Sequence, residues 1–287
     1  MSERLDVSKK TASFIGGAFP RSSPNAPARR STLPAGWSPR RRPRVATQAT
    51  GRPRRAQRPG GWAGRTAYNR GQILYRGRDD RGPAESFAAR LAVDGRKAKA
   101  ASREVDAAID RLVWYAGWCD KLAQTIGNLN PVAGPFFNIS SPEPTGVVGL
   151  VCPEEPPLLA MVSRLAPILV PGNSAVVVAS ERWPLAAVTL AEALATADVP
   201  AGVVNVLTGR KEELLPFLAG HMDVNALDLW DVDDEVARSL EVAAAENVKR
   251  LHRGPSDLDW TDDAAAQSPW AIAAFTETKT VWHPKGL

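Results

Sequence analysis

Between residues 146 and 251, short apolar runs alternate with longer amphipathic stretches, and this rhythm predicts alternating strands and helices. Four runs are apolar at nearly every position, as in strands buried on both faces of a sheet: GVVGLV (146–151), SAVVVA (174–179), VVNVL (203–207) and VNALDL (224–229). A stretch with helical spacing follows each run, at 158–169, 184–197, 211–220 and 233–251. These units predict an α/β fold: a Rossmann-like, doubly wound parallel sheet with helices on both faces.

Further elements are predicted outside this rhythm. Residues 102–127 carry apolar positions on one helical face, with Ser102 as the N-cap and Gly127 as the end. Residues 128–145 are predicted to form a hairpin of two short strands. The segment AFTETKTVWHP (274–284) is rich in Thr and aromatic residues and favours a strand. This strand must pair with a sheet edge, either in its own chain or in a neighbouring subunit.

Charge is distributed unevenly along the chain. Residues 7–78 contain 17 Lys or Arg and no Asp or Glu, whereas residues 79–287 contain 18 Lys or Arg and 29 Asp or Glu. The Arg-, Pro- and Gly-rich segment 27–61 has almost no apolar periodicity, so we expect a largely disordered region there.

Two interpretations of this basic segment stay open. One is an arm that binds nucleic acid or an acidic surface. The other is a short frame-shifted patch in a GC-rich gene, because the segments on both sides of it have the composition of folded protein. Aromatic residues for base stacking are nearly absent, with Trp37 the exception, which argues against the nucleic-acid interpretation.

The remaining composition excludes several classes of protein. No apolar run approaches the roughly 20 residues of a membrane span, and the first residues contain no apolar core of a signal peptide. The two cysteines, Cys119 and Cys152, form no CxxC pair, which favours a reducing, cytoplasmic location. The three histidines do not lie at ligand spacing, so no metal site is predicted. The GxSxG, Walker A and GxGxxG motifs are also absent.

Several strings, in their order along the chain, resemble the cofactor domain of the aldehyde dehydrogenase superfamily. They are TGVVGLVCPEEPPLL, APILVPGNSAVVVASERWPLAAVTLAEAL, VPAGVVNVLTG and LAGHMDVNALDL. FIGGAFPRS resembles the N-terminal arm of that family, TETKTVWHP its C-terminal oligomerisation strand, and NPVAGPFFNISSPEPTG the hairpin with which that strand pairs. The resemblance covers most of 60–251 and both ends of the chain. The chain is most similar to the shortened, non-catalytic domains found beside or fused to a complete aldehyde dehydrogenase.

The resemblance implies a catalytic domain between the cofactor domain and the last strand, and this chain lacks that domain. In the family it supplies a nucleophilic Cys within Gly-Gln-x-Cys and a general-base Glu within Glu-Leu-Gly-Gly-Lys. Neither string occurs here. Cys119 and Cys152 lie outside that context, so we predict structural roles for both and assign no catalytic residue.

The resemblance also places cofactor-binding residues at the ends of the predicted strands. By position they are Val151, Pro153, Ser180, Glu181 and Gly209. Glu155 stands where the family has an Asn whose amide donates to the oxyanion, and an ionised carboxylate cannot donate. Val178 replaces the Lys that helps to hold the adenosine ribose in the family. Glu181 keeps the acid of that pair, although a solvated loop acid is an equal interpretation of this residue.

Acidic residues stand where the family places a pyrophosphate, at the start of the helix after the fourth strand. They are Asp231, Asp233, Asp234 and Glu235. Each acidic side chain near a helix N-terminus stabilises the helix by about 0.3–1 kcal/mol. Each would repel a phosphate charge 4 Å away by about 1 kcal/mol in water and about 4 kcal/mol at an effective dielectric constant of 20. We therefore expect NAD(P), the cofactor that the resemblance implies, to bind weakly or not at all.

Together these observations predict four parts of the chain. They are a largely disordered basic region with remnants of the N-terminal arm (1–84), the cofactor domain with its hairpin (85–254), an acidic linker (255–269) and an oligomerisation strand (270–287). The predicted oligomerisation residues are Phe275, Thr276, Thr278, Thr280 and Trp282.

The predicted function is that of a non-catalytic subunit. It would assemble with a full-length aldehyde dehydrogenase or with itself, away from any membrane. Two alternatives remain open at this point: an NAD(P)-dependent aldehyde oxidoreductase in its own right, and nucleic-acid binding through the basic region.

Overall fold

The fold is described by a computed structural model that covers residues 13–18, 61–77, 88 and 96–286. Its strands in chain order are β1 (Ser13–Phe14), β2 (Asn128–Asn130), β3 (Phe136–Pro144), β4 (Val147–Val151), β5 (Ser174–Val178), β6 (Val204–Leu207), β7 (Ala226–Leu229), β8 (Arg250–Arg253) and β9 (Thr276–Pro284). Its helices are α1 (Ala67–Arg76), α2 (Ala98–Ala116), α3 (Leu122–Ile126), α4 (Leu159–Leu169), α5 (Pro184–Thr196), α6 (Lys211–Gly220), α7 (Asp234–Ala245), α8 (Asp263–Ala266) and α9 (Pro269–Ala273).

Six strands form the central sheet, in the order β1-β6-β5-β4-β7-β8. The neighbours from β6 to β8 are parallel, and β1 pairs antiparallel with β6 at one edge. All residues of β4, β5, β6 and β7 are buried, which explains why their sequences are apolar without alternation. The predicted α/β class with a Rossmann-like sheet is confirmed, with one antiparallel edge strand added.

Two apolar clusters cover the two faces of this sheet. Val148 and Leu150 of β4 point into the cluster that contains α2, α4 and α5. Val147 and Val151 point into the cluster that contains α6 and α7. Because successive strand residues face opposite sides, one buried strand contributes to both clusters. The helices therefore lie on both faces, and the doubly wound arrangement is confirmed.

The sequence prediction was wrong about residues 233–251. The helix ends at Ala245, and Val248 adopts a left-handed backbone with φ +55° and an 89% exposed side chain. Residues 250–253 then form strand β8, in which Leu251 pairs with Leu227. In the sequence, the apolar positions keep helical spacing as far as Leu251, so the predicted helix was too long. A short half-exposed strand has no periodicity that distinguishes it from the end of a helix.

The helix predicted over 102–127 is also interrupted. Helix α2 ends at Ala116, where the Gly117 amide donates to the Val113 carbonyl, and a turn leads to the short helix α3. Cys119 lies in that turn and not on a helix.

A second, antiparallel sheet has the order β2-β3-β9. All nine residues of β9 are in register with β3, from Phe136 opposite Pro284 to Pro144 opposite Thr276. The C-terminal strand therefore pairs with the predicted hairpin of its own chain, and β9 forms one edge of this sheet.

Phe275 precedes β9 and lies in the core rather than on the strand. Its side chain is fully buried, and its carbonyl accepts a 2.8 Å hydrogen bond from the Asn173 side chain.

Residues 255–269 are fixed against the α/β domain. The buried Arg111 guanidinium donates to the carbonyls of Trp260 and Ala266, both at 3.1 Å, and to Asp263 at 2.8 Å. The Trp260 ring packs on Trp230 with centroids 4.8 Å apart. Gly254 lets the backbone before this segment pass close to the Trp230 ring, because a Cβ there would lie 2.0 Å from it.

The limits of the four predicted parts stay predictions. The calls on the basic segment 27–61 fall almost wholly outside the described residues, as does most of 1–84.

Candidate functional site

The candidate site lies at the carboxyl ends of the central strands. From β4 the chain proceeds to β5 and β6 on one side, and it returns to β7 and β8 on the other. Doubly wound sheets bind ligands at such a reversal, in the crevice outside the carboxyl ends of the two strands, which are β4 and β7 here. The turn after β4 contains Glu154 and Glu155, and the turn after β7 contains Asp231.

Glu154 is the centre of a hydrogen-bonded cluster at this edge. Its carboxylate accepts from the Ser180 hydroxyl at 2.6 Å and from the Arg182 amide at 3.2 Å. It also pairs with the Lys211 ammonium at 2.5 Å. Burial opposes ionisation of this carboxyl, but the hydrogen bonds from Lys211 and Ser180 and the charge of Lys211 outweigh it, so the pKa of Glu154 lies below its usual value.

Two further carboxylates near Glu154 accept hydrogen bonds from backbone amides. Glu181 accepts the Lys211 amide, the first amide of α6. Asp231 accepts the Glu154 amide at 2.8 Å, so this hydrogen bond spans the crevice between β4 and β7. The Lys211 ammonium completes the cluster by donating to the Cys152 carbonyl at 2.8 Å.

Glu155 lies on the exposed rim of the crevice. Its carboxylate accepts from the Trp183 indole at 3.2 Å and pairs with Arg182 at 3.1 Å. The Arg96 guanidinium lies 3.8 Å from the same carboxylate and 5.5 Å from the centroid of the Trp183 ring. Glu155, which the resemblance places at an oxyanion-donating Asn, therefore accepts hydrogen bonds from its neighbours.

The other predicted cofactor residues are parts of the buried framework. Val151 ends β4, Pro153 begins the following turn, and Gly209 follows β6 with φ +150°. All three are buried. Ser180 and Glu181 belong to the Glu154 cluster. Val151, Pro153 and Gly209 form part of the buried backbone at the same edge of the central sheet.

The acids at the start of α7 face solvent. Asp231, Asp233, Asp234 and Glu235 are all exposed. Asp234 pairs with Arg253 at 2.6 Å, and the hydrogen bond and charge of Arg253 lower the pKa of Asp234.

Both thiols are buried and unpaired. Burial raises the pKa of Cys119 to about 12, and burial also raises the pKa of Cys152. A thiolate nucleophile requires a lowered pKa and an accessible sulfur, so neither cysteine has the environment of a catalytic nucleophile.

Sequence reasoning missed a buried polar cluster beneath the crevice. Asp228 on β7 is fully buried and accepts from Arg164 and the Trp230 indole, both at 2.8 Å, and it lies 2.7 Å from His252. The Arg164 guanidinium lies 4.9 Å from the centroid of the Trp230 ring. The sequence did contain a signal for this cluster: Asp228 lies inside an apolar strand and Arg164 inside an apolar helix. Because buried charges require partners, these two residues could have been expected to pair.

A comparison with protein families identifies the scaffold. The family model described as "Aldehyde dehydrogenase family" matches residues 33–253.

The chain belongs to the aldehyde dehydrogenase family.

Several relatives are identical to this chain at about a third of the aligned residues. Omega-crystallin of Enteroctopus dofleini is 33% identical over 191 residues, which are 66% of this chain and 38% of that protein. The mitochondrial aldehyde dehydrogenase of Rattus norvegicus is 32% identical over 219 residues, which are 71% of this chain and 41% of that enzyme. The chain thus matches less than half the length of these relatives.

A solved relative is similar in three dimensions. Betaine aldehyde dehydrogenase from Staphylococcus aureus, in complex with NAD⁺, superposes with a TM-score of 0.67 at 26% identity, over 72% of this chain and 41% of that chain. NAD(P) is therefore the cofactor expected at the level of the family.

In this chain, the residues at the crevice do not fit a pyrophosphate as they are arranged. The Ser180 hydroxyl, the Lys211 ammonium and the Lys211 amide are each paired with a carboxylate of the same chain.

Within the described ranges, no group of three or more His, Cys, Asp or Glu residues is placed to hold a metal ion. No helix in the described part of the chain has the length and apolar character that a membrane span needs.

Proposed function

We propose that this chain is a non-catalytic aldehyde-dehydrogenase-family subunit that assembles with a full-length aldehyde dehydrogenase, or with a second copy of itself. The observation that carries the proposal is strand β9. It pairs with β3 over nine residues, and none of the described strands pairs with its other edge. A long unpaired edge offers a row of amides and carbonyls to a strand of another chain.

The side chains of this sheet support an interface. Leu129, Ile139 and Val281 are in register across the three strands and are 67%, 47% and 50% exposed. Phe137 lies on the same face, two residues from Ile139, and is also exposed. Large contiguous apolar patches on a soluble protein mark interaction sites, so this face favours a covered state over an isolated monomer.

The predicted oligomerisation residues contribute to this sheet in different ways. Thr278, Thr280 and Trp282 are exposed on β9, and the Thr280 hydroxyl lies 2.9 Å from the Ser140 hydroxyl. Thr276 is buried, with its hydroxyl donating to the Ala273 carbonyl at 2.9 Å. In our proposal the interface is formed by the exposed residues 277–284 together with the hairpin 128–145, while Phe275 anchors the strand to the core.

The chemistry available to the chain supports a role without catalysis. The sequence contains neither the Gly-Gln-x-Cys nor the Glu-Leu-Gly-Gly-Lys string, and both cysteines are buried with raised pKa values. We further propose that NAD(P) binding is weak or lost, because carboxylates occupy the donors at the crevice. Two unpaired thiols favour a reducing compartment such as the cytoplasm.

Co-expression tests the assembly. The full chain is produced together with a full-length aldehyde dehydrogenase of the same organism, and the purified material is measured by size-exclusion chromatography with light scattering. We expect a stable complex whose mass includes both chains. In the absence of the enzyme, we expect self-association or poor solubility.

A charge variant tests the surface. Thr278→Lys with Thr280→Lys places two cations on β9 and should abolish assembly, because lysines on an edge strand oppose pairing with another chain. Ser239→Lys with Thr261→Lys adds the same charge at exposed positions outside this sheet and should leave assembly unchanged. A soluble monomer that ignores the enzyme at high concentration contradicts the proposal, as does a β9 variant that assembles like the control.

A further inference from the structure

Carboxylates of the chain itself fill the anion-binding donors at the crevice. The Ser180 hydroxyl, the Arg182 amide and the Lys211 ammonium all point to Glu154, and the first amide of α6 points to Glu181. A hydroxyl, an ammonium and a helix N-terminal amide together form the kind of donor set that recognises phosphate. Here each donor has an internal partner.

We infer that Glu154 and Glu181 act as built-in ligands that exclude phosphate-bearing molecules, and that their removal turns this edge of the sheet into a pyrophosphate-binding site. The inference deepens the proposed loss of NAD(P) binding, on which it rests. It names the two side chains that close the crevice and the donors that they would release.

Lys211 is the residue that favours binding of an anion from solution once the Glu154 carboxylate has been removed. Its side chain is 12% exposed, and its partner Glu154 is 26% exposed, so the pair is largely removed from water. A buried ammonium without a counter-ion is strongly disfavoured. Without Glu154, the Lys211 ammonium therefore lacks a counter-charge, and an anion from solution can supply it.

Glu181 has the corresponding role at the start of α6. Its carboxylate accepts the Lys211 amide, where the helix dipole favours negative charge. A phosphate oxygen in the same position would receive the same amide and dipole. The two carboxylates thus occupy neighbouring positions of one anion site, joined through the backbone and side chain of Lys211.

The test compares charge removal at the crevice with equal charge removal elsewhere. The test variant is Glu154→Ala with Glu181→Ala. The control is Glu212→Ala with Glu246→Ala, which removes one exposed acid from the first turn of α6 and one from the C-terminal end of α7 without freeing Lys211. Isothermal titration calorimetry with inorganic pyrophosphate and with NAD⁺ measures binding to each folded chain.

We expect the test variant to bind pyrophosphate at least tenfold more tightly than both the original chain and the control. Adding Lys211→Met to the test variant should abolish the gain. Glu154→Gln keeps the shape of the side chain and serves if the double variant does not fold; it should also bind pyrophosphate more tightly than the original chain. Lysine labelling followed by mass spectrometry should show Lys211 more reactive in the test variant.

The outcomes separate this inference from the proposal on which it rests. If the original chain binds NAD⁺ at micromolar concentration, both the proposed loss of cofactor binding and this inference are wrong. If the original chain does not bind NAD⁺ and a folded test variant with reactive Lys211 gains no pyrophosphate binding, the inference is overturned and the proposed function stands. A gain that persists after Lys211→Met also overturns it.

Discussion

The buried carboxylate of Asp228 should be the most sensitive single position for the stability of the fold. It is fully buried on β7, and the Arg164 side chain that it pairs with at 2.8 Å is 7% exposed. Two more donor groups, the Trp230 indole and the His252 imidazole, lie within 2.8 Å of the same carboxylate. Asp228→Ala leaves the Arg164 guanidinium charged, buried and without its counter-ion.

The expected loss follows from this geometry. Removal of one partner from a buried ion pair typically costs about 3–5 kcal/mol, against a total unfolding free energy of about 5–15 kcal/mol for a domain. With a urea dependence of about 2 kcal/mol per molar, the unfolding midpoint should fall by about 2 M. Urea titration followed by circular dichroism and tryptophan fluorescence measures this shift.

Two controls test the cause. Asp257→Ala removes an exposed acid and should change the unfolding free energy by less than about 0.5 kcal/mol. Arg164→Met with Asp228→Leu replaces both charges by apolar groups and should recover most of the loss. If Asp228→Ala costs no more than Asp257→Ala, the ion pair does not stabilise the fold as argued.

The pH dependence of the same variant has a definite sign. Burial opposes ionisation of Asp228, but the charge of Arg164 and the hydrogen bonds from His252 and Arg164 outweigh it, so the pKa of Asp228 is held below its usual value. A lowered pKa in the folded state stabilises the protein above the unfolded pKa of about 3.9 and loses that contribution as pH falls through the folded value. The contribution of the Asp228 carboxylate to the stability difference between the original chain and Asp228→Ala should therefore be present above about pH 4 and shrink as the pH falls below about 4.

Three further predictions concern other buried groups. Glu104→Ala should lower the unfolding free energy by about 2 kcal/mol, because this buried carboxylate accepts two backbone amides near the start of α4; urea titration against Asp257→Ala measures it. Cys119 and Cys152 should react with Ellman's reagent at pH 8 only after unfolding, since both are buried with raised pKa values; rapid reaction of the native chain would contradict this. Arg111→Met should accelerate proteolysis within residues 255–269, because four hydrogen bonds of Arg111, three of them to this segment, are lost; an unchanged cleavage rate, measured by mass spectrometry, would show that other contacts hold the segment.

The central sheet could be predicted from the sequence because its strands are buried on both faces. Runs such as 174–179 are apolar at every position except Ser174, and turn residues limit each run, so strands and crossovers followed directly. Strand β8 could not be found in this way. Its sequence, Arg-Leu-His-Arg, is short and half exposed, and its pairing with β7 depends on residues distant in the chain.

The candidate site could be located from the sequence, but the ion-pair and hydrogen-bond partners of its residues could not. The family resemblance identified Ser180 and Glu181 at the end of a predicted strand, and the unusual acids after β4 were visible as Glu154 and Glu155. Lys211, which neutralises Glu154, lies 57 positions later, after α4, β5, α5 and β6. Only the fold brings these residues together: the sequence indicated that Glu155 cannot donate to an oxyanion, and the structure shows that Glu154 pairs with Lys211 and Glu155 with Arg182.

Hydrogen–deuterium exchange across β9 tests the proposed assembly most directly. In the isolated chain, the amides of residues 276–284 that donate to β3 should be protected, and those that face the open edge should exchange rapidly. In the complex with a full-length aldehyde dehydrogenase, the edge amides should also become protected, while exchange in α7 stays unchanged. A stable complex in which the edge amides of β9 still exchange at the rate of the isolated chain would contradict assembly through this strand.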